Sequence, residues 1–196
     1  MPQTKHKSQK IGSILGVRLS SSPSAQLLKE IDGYLEKKQH FFIATPNPEI
    51  LVAANSDRKL KDILNNADIS LADGVGLQIA AAFTGSPSFE RIPGRIFMEK
   101  LLAQANEKHL KVYFLGSTPS VIKKTLDAIS KQFSNVQAFG NSGPQLNREG
   151  KPLPKDESAL EDTVLKEIRR VKPSLLFLAF GCPKQEKWYD LHKDEF

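Results

Sequence analysis

KVYFLGS, residues 111–117, decides the reading of this chain. It is a short, strongly apolar run closed by a Gly-Ser turn. Behind it come Val121, Ile122, Leu126 and Ile129 at helical spacing. A β-type run feeding a helix-type segment is the repeating unit of a parallel sheet covered by helices. The same alternation continues on either side. Toward the C-terminus lie a weaker strand, NVQAFG (135–140), a helix from about 157 to 171, and PSLLFLAFG (173–181). The last run is apolar on both parities, as expected of a central strand covered on both faces. Toward the N-terminus, ISLADG (69–74) ends on a turn at Asp73 and Gly74 and leads into a short apolar helix, roughly 75–83. HFFIAT (40–45) reads as a buried strand that runs through TPNPEI into a helix carrying Leu51, Leu60, Ile63 and Leu64. ILGVRL (14–19) reads as the first strand. Ser22, Pro23 and Ser24 then open a helix with Leu27, Leu28, Ile31 and Leu35 on one face. TGSPSFERIPGR (84–95) must be a loop, followed by a helix through Met98, Leu101, Leu102 and Ala105. NSGPQLNREGKPLPK (141–155) is too rich in Gly and Pro for regular structure and reads as a surface loop or disordered segment. The expected fold is α/β, with a mostly parallel sheet and helices on both of its faces.

Composition narrows the function. The 196 residues suffice for one sizeable α/β domain, and their 39% hydrophobic and 26% charged content is that of an ordinary globular protein. One cysteine, Cys182, permits no intrachain disulfide and fits a reducing compartment. The first ten residues, MPQTKHKSQK, are basic, polar and expected to be flexible; no apolar core of a signal peptide follows them. No apolar run approaches the roughly 20 residues that cross a bilayer. The net charge of +6 suits nucleic acid, an anionic lipid surface or a phosphorylated substrate, and equally a solvated surface. No RNA-binding, helix-turn-helix or base-stacking pattern supports nucleic acid.

In open parallel sheets, ligands bind beyond the carboxyl ends of the strands, where loops converge and helix N-termini present N–H groups. Four strand ends here carry turn glycines or polar side chains: TPNPE after HFFIA, DGVG after ISLA, GST after VYFL, and GCPKQE after LLFLAF. Asp73 could serve as a general base, a metal ligand or a ribose contact, or simply cap the next helix. Thr45 and Asn47 could bond a sugar, yet Asn47 before Pro48-Glu49 is also a good N-cap. Arg91 and Arg95 flank Pro93-Gly94, and a guanidinium suits a diphosphate or stays solvated. Lys184, Gln185 and Glu186 open a helix whose N-terminus could face a pyrophosphate, while Trp188 and Tyr189 suit packing on the sheet. Other chemistries find no footing. There is no G-x-x-x-x-G-K-[ST] phosphate loop, no G-x-G-x-x-G after the first strand and no G-x-S-x-G elbow. The four histidines and the cysteine have no zinc spacing, and no D-x-D pair is present to hold a metal.

Taken together, ATPNPEIL (44–51), LADGVGL (71–77), ERIPG (90–94), VYFLGS (112–117) and FLAFGCPKQEKW (177–188) resemble the WecG/TagA/CpsF glycosyltransferases in order and spacing, over about residues 12–190. The resemblance implies a Rossmann-like glycosyltransferase domain spanning 11–196. Its donor would be UDP-activated N-acetylmannosamine or the corresponding uronic acid. Its acceptor would be undecaprenyl-diphosphate-linked N-acetylglucosamine, for teichoic acid or other surface polysaccharide. Asp73 matches the family's proposed general base, with Thr45 beside it. Arg91 and Gln185 match candidate substrate contacts, and Asn47, Gly74, Gly94, Gly116, Gly181, Lys184 and Glu186 lie in the matched motifs, Glu186 being the second choice as base. Neither cofactor nor metal is implied. Action would be at the cytoplasmic face of the plasma membrane, peripherally, and a homo-oligomer stays open.

The sequence departs from the family pattern in three places. Ile96 stands where an Asp is usual, two residues after Gly94. The 141–155 segment replaces a glycine-aromatic pattern. A further glycine-rich motif and a basic, aromatic-rich tail that engages the membrane are expected beyond position 196, so the chain reads as C-terminally truncated. The alternative reading is a nucleotide-sugar-binding fragment that has lost catalysis with that portion.

Overall fold

The computed structural model describes residues 11–84, 89–153 and 155–196; the basic segment 1–10 and its expected flexibility lie outside them. The chain divides into two compact units, Met1–Met98 and Glu99–Phe196.

The first unit opens differently from expectation. The single strand anticipated over 14–19 is an antiparallel hairpin, β1 (Ile11–Ile14) and β2 (Val17–Ser20), with Ile14 opposite Val17. Leu15 and Gly16 form its two-residue turn with φ of 51° and 75°, the positive values that match the right-handed twist of a hairpin. The Asn65 side chain fastens this turn, accepting from the Arg18 N–H at 2.8 Å and donating to the Gly16 carbonyl at 3.0 Å. Next comes α1 (Ser24–Glu36), burying Leu27, Ile31 and Tyr34 while Leu28 and Leu35 are half-buried. β3 is only Ile43–Ala44, paired in parallel with β4, Ile69–Ser70. Between them, the one helix expected is two: α2 (Pro48–Ser56) and α3 (Arg58–Asn65). The break is at Asp57, which takes an extended conformation and accepts the Leu60 N–H at 3.0 Å as the cap of α3. Leu51, Ala54, Leu60, Leu64, Ile69 and Leu71 are almost wholly buried in this unit. α4 (Val75–Thr84) follows, then α5 (Gly94–Glu107), within which the division between the units falls. Arg95, expected in a loop, is therefore in the first turn of a helix.

The second unit is a three-stranded parallel sheet of order β6-β5-β7, built from β5 (Lys111–Gly116), β6 (Gln137–Asn141) and β7 (Leu175–Ala179). α6 (Pro119–Gln132), α7 (Lys155–Val171) and α8 (Lys184–His192) connect and flank the strands. β5, not β7, is the central strand of this sheet: its residues from Val112 on are buried, whereas β7, among the described residues, pairs with β5 alone and is only partly covered. The parallel strands and helical crossovers give the expected α/β, Rossmann-like class.

The segment 141–155, expected to be loose, is ordered where described. Leu146 is buried against Tyr113, Leu115, Val164, Leu165, Ile168, Val171 and Trp188, and it forms a β-bridge with Pro152. Asn147 Oδ1 accepts from the backbone N–H groups of Glu149 and Lys151, closing a tight turn. Gly150, at φ 75°, lies so close to α8 that an added Cβ would fall 2.5 Å from the Trp188 nitrogen. Glu149 then reaches the buried Lys187 ammonium at 3.0 Å. Glycine and proline here serve a close approach of backbone to helix rather than disorder.

Candidate functional site

In the first unit, three loops meet at Asp73. β3 and β4 pair over two residues only, but backbone bonds carry the meeting further: Leu71 N–H donates to the Ala44 carbonyl at 2.8 Å, Asp73 N–H to Pro46 at 3.1 Å, and Ile92 N–H to Ala72 at 3.1 Å. The TPNP, DGVG and RIPG segments are thereby laced together through the main chain. Gly74 and Gly76 are the contact surface for Pro48; a Cβ at either would stand 3.0 Å from its ring. Gly74 also has φ 139°, a conformation glycine tolerates.

The Asp73 carboxylate is half-buried, and Oδ2 accepts the Gly94 N–H at 3.0 Å. Asp73 thus caps α5, which is remote in sequence, instead of the next helix, α4. No partner of Oδ1 is found among the described residues, so one carboxylate oxygen is held while the other can accept a proton. Thr45 flanks the same spot: a Cβ on Gly94 would lie 3.3 Å from the Thr45 methyl and 3.5 Å from Asp73 Oδ2. Arg91 is exposed beside this junction and makes no ion pair among the described residues. Asn47 is brought close too, but its Oδ1 accepts the Ile50 N–H at 2.9 Å as the cap of α2, the structural role its position before Pro48 suggests.

The second unit holds the other candidates at the carboxyl edge of its sheet. A cavity of about 390 Å³ is lined by Ser117, Thr118, Ser142, Gln145, Phe180 and Lys184, among others. Among the described residues of its lining the cation is Lys184, in the first turn of α8. Hydroxyls, an amide, an aromatic ring and an ammonium in a hollow of this size suit a phosphorylated ligand with a planar base. Gly116 adjoins the cavity wall for a packing reason: at φ 111°, its missing Cβ would strike the Ala179 carbonyl carbon at 2.6 Å.

Gln185 and Glu186 are committed locally. Gln185 Oε1 accepts the Gly181 N–H at 3.1 Å, and its Nε2 donates to Glu186 Oε1 at 3.0 Å. Glu186 is only 6% exposed. Oε2 has no hydrogen-bond partner among the described residues, and burial pushes the carboxyl above the usual carboxylate range. Trp188 is fully buried, with Nε1 donating to Glu161 at 2.9 Å, so its role is packing.

Ser117, Thr118, Ser142 and Gln145 were not singled out from the sequence. Thr118 could have been found as an N-cap before Pro119; it accepts the Val121 N–H. N-S-G at 141–143 is an Asx turn, with Asn141 Oδ1 accepting the Gly143 N–H at 2.9 Å, a signal of order inside a segment dismissed as loose. Among the described residues, no three His, Cys, Asp or Glu side chains gather to hold a metal, and no helix is long and apolar enough to cross a membrane.

The family model described as the glycosyl transferase WecG/TagA/CpsF family matches residues 12–196. The chain is also similar to N-acetylglucosaminyldiphosphoundecaprenol N-acetyl-beta-D-mannosaminyltransferases of Staphylococcus aureus, among them those of strains NCTC 8325 / PS 47, COL and MRSA252. Each is 30% identical over 185 residues, covering 93% of this chain and 68% of the relative. With the motif-bearing loops laced around Asp73 and a match that spans nearly its whole length, the chain belongs to the WecG/TagA/CpsF family of glycosyl transferases.

Proposed function

We propose that this protein transfers an N-acetylmannosamine-type sugar from a UDP-sugar to N-acetylglucosamine carried on a polyprenyl diphosphate, with inversion at the anomeric carbon. The observation that carries the reading is Asp73, held through Oδ2 by the Gly94 amide, with Oδ1 unengaged among the described residues, at the junction of three loops. The names of the S. aureus relatives supply the acceptor and sugar. Asp73 takes the proton of the acceptor hydroxyl as its oxygen attacks the anomeric carbon; the bond to the UDP oxygen breaks on the opposite face, and UDP leaves. Thr45, against Gly94, fixes the loop beside the base, and Arg91 offers charge to phosphate there. In the second unit, taken by itself, the cavity with Lys184 in its lining suits the phosphates and base of a nucleotide such as UDP. An acceptor carried on a lipid is met at a membrane surface, and the reading assigns the work to the cytoplasmic face.

The test is incubation with UDP-N-acetylmannosamine and a GlcNAc-diphospholipid, with UDP release and the disaccharide both followed. Isothermal titration of UDP in EDTA checks the donor site separately. Transfer that is absent with this pair, or UDP binding that requires a divalent metal, would overturn the respective part.

A further inference from the structure

α4 carries no charged side chain in its ten residues, VGLQIAAAFT. At 100° per residue, Leu77 and Ala81 fall on one face, and Val75, Ile79 and Phe83 on the opposite one. Leu77 and Ala81 are each 2% exposed and anchor the helix in the first unit. Val75, Ile79 and Phe83 are 51%, 55% and 87% exposed, and Ala82 beside them is exposed too. Gln78, the only amide on the helix, turns toward the Phe89 carbonyl at 3.1 Å. A surface helix ordinarily offers polar side chains to water, whereas one that is apolar all round is covered on every side. α4 has the composition of the second kind and the exposure of the first. Its outer stripe is about 12 Å long, eight steps of helical rise from Val75 to Phe83.

The position of the stripe selects its occupant. It begins at Val75, two residues from Asp73, and Ile96, in the first turn of the helix that Asp73 caps, is another exposed apolar side chain. Arg91 is exposed on the segment that hydrogen-bonds Ala72. Charge for a phosphate and an uninterrupted apolar track therefore leave from one point. We infer that the Val75–Ile79–Phe83 stripe binds the first isoprene units of the acceptor's polyprenyl diphosphate, an inference that rests on the acceptor reading above. An isoprenoid chain has no hydrogen-bonding group and matches a face that offers none. A second copy of the chain suits the stripe less well: a few apolar side chains provide a few hundred Å², against roughly 800 Å² per partner in a stable interface.

The experiment is isothermal titration of the wild-type chain and of the Ile79→Gln/Phe83→Gln variant, which removes the apolar face without adding charge, with farnesyl diphosphate and with inorganic diphosphate. Both replaced side chains are exposed, and an unchanged melting temperature checks the fold. The wild type should bind farnesyl diphosphate at least tenfold more tightly than inorganic diphosphate. The variant should lose that preference and keep its affinity for inorganic diphosphate. Equal preference in both proteins, or none in the wild type, overturns the inference. So does a wild-type dimer that the variant turns into a monomer in velocity sedimentation. Failure of the acceptor reading looks different: no transfer to any GlcNAc-diphospholipid, with the farnesyl preference and its loss in the variant intact.

Discussion

Replacing Asp73 by Asn separates the chemistry of the site from its architecture. In the native protein, Oδ2 accepts one backbone N–H, from Gly94, at 3.0 Å. An asparagine carbonyl oxygen can take the same bond, so what is lost is the extra strength of a charged acceptor over a neutral one. That difference is about 1 kcal/mol, less where water reaches the group, and would lower the melting temperature by only about 2–4 °C in a chain this size. The lost proton acceptor is a different matter. A positioned base contributes roughly 10²- to 10⁴-fold, which at 1.36 kcal/mol per decade is about 2.7–5.4 kcal/mol of barrier. Asp73→Asn should therefore cut kcat for sugar transfer at least a hundredfold, with KM for the donor and UDP affinity little changed. The assay is UDP release under saturating donor and acceptor, run beside thermal melts. Turnover within a few-fold of wild type would refute the base assignment. A collapse in melting temperature matching the loss of rate would show that the carboxylate serves the fold instead.

Further expectations follow from the geometry. Gly94→Ala places a methyl 3.3 Å from Thr45 and 3.5 Å from Asp73 Oδ2, so it should slow transfer several-fold with little change in melting temperature; unaffected kinetics would show that the junction yields freely. Lys184→Ala removes the cation of the second unit's cavity and should weaken UDP binding about 10- to 100-fold, the worth of a charge-assisted bond, in a titration with EDTA present. Glu186 has a raised pKa in the folded state, so its contribution to stability is complete below the unfolded carboxyl value of about 4.3 and is lost as pH rises through the folded value. Glu186→Gln should accordingly gain stability over wild type in urea unfolding at pH 8 but not at pH 4; parallel pH profiles would contradict this. Gly150→Ala meets the Trp188 nitrogen at 2.5 Å from a φ of 75° and should cost about 2–4 kcal/mol in the same assay, a cost that a change within 0.5 kcal/mol would rule out.

What could be read from the sequence depended on how local the signal was. KVYFLGS announced β5 because its residues are apolar and the following helix has its own periodicity. The hairpin at 11–20 reads as one strand in the sequence because its turn is Leu-Gly, without the Asn or Asp that usually marks two residues at positive φ. Asp57 is unremarkable among its polar neighbours in the sequence, and only its bond from the Leu60 N–H marks it as the cap of α3. PSLLFLAFG looked central because both its parities are apolar, yet pairing, not hydropathy, decides which strand is flanked, and β5 holds that place. At the site, Asp73 and Thr45 could be proposed from their motifs. The identity of the helix that Asp73 caps required a partner 21 residues away. The cavity residues of 141–146 were hidden by composition: glycine and proline counted as disorder where they allow a close approach.

The lacing of three loops by main-chain bonds has a consequence for how the site can drift. Leu71, Asp73 and Ile92 donate, and Ala44, Pro46 and Ala72 accept, entirely through peptide groups. The bond lengths that place the carboxylate are thus indifferent to most side chains on those residues. Side chains on these residues enter the placement only through packing, since Pro46 and Ile92 are buried, whereas a slip of one residue in any loop would misalign all three segments together. The register of the three loops, more than any one side chain, sets where the carboxylate stands.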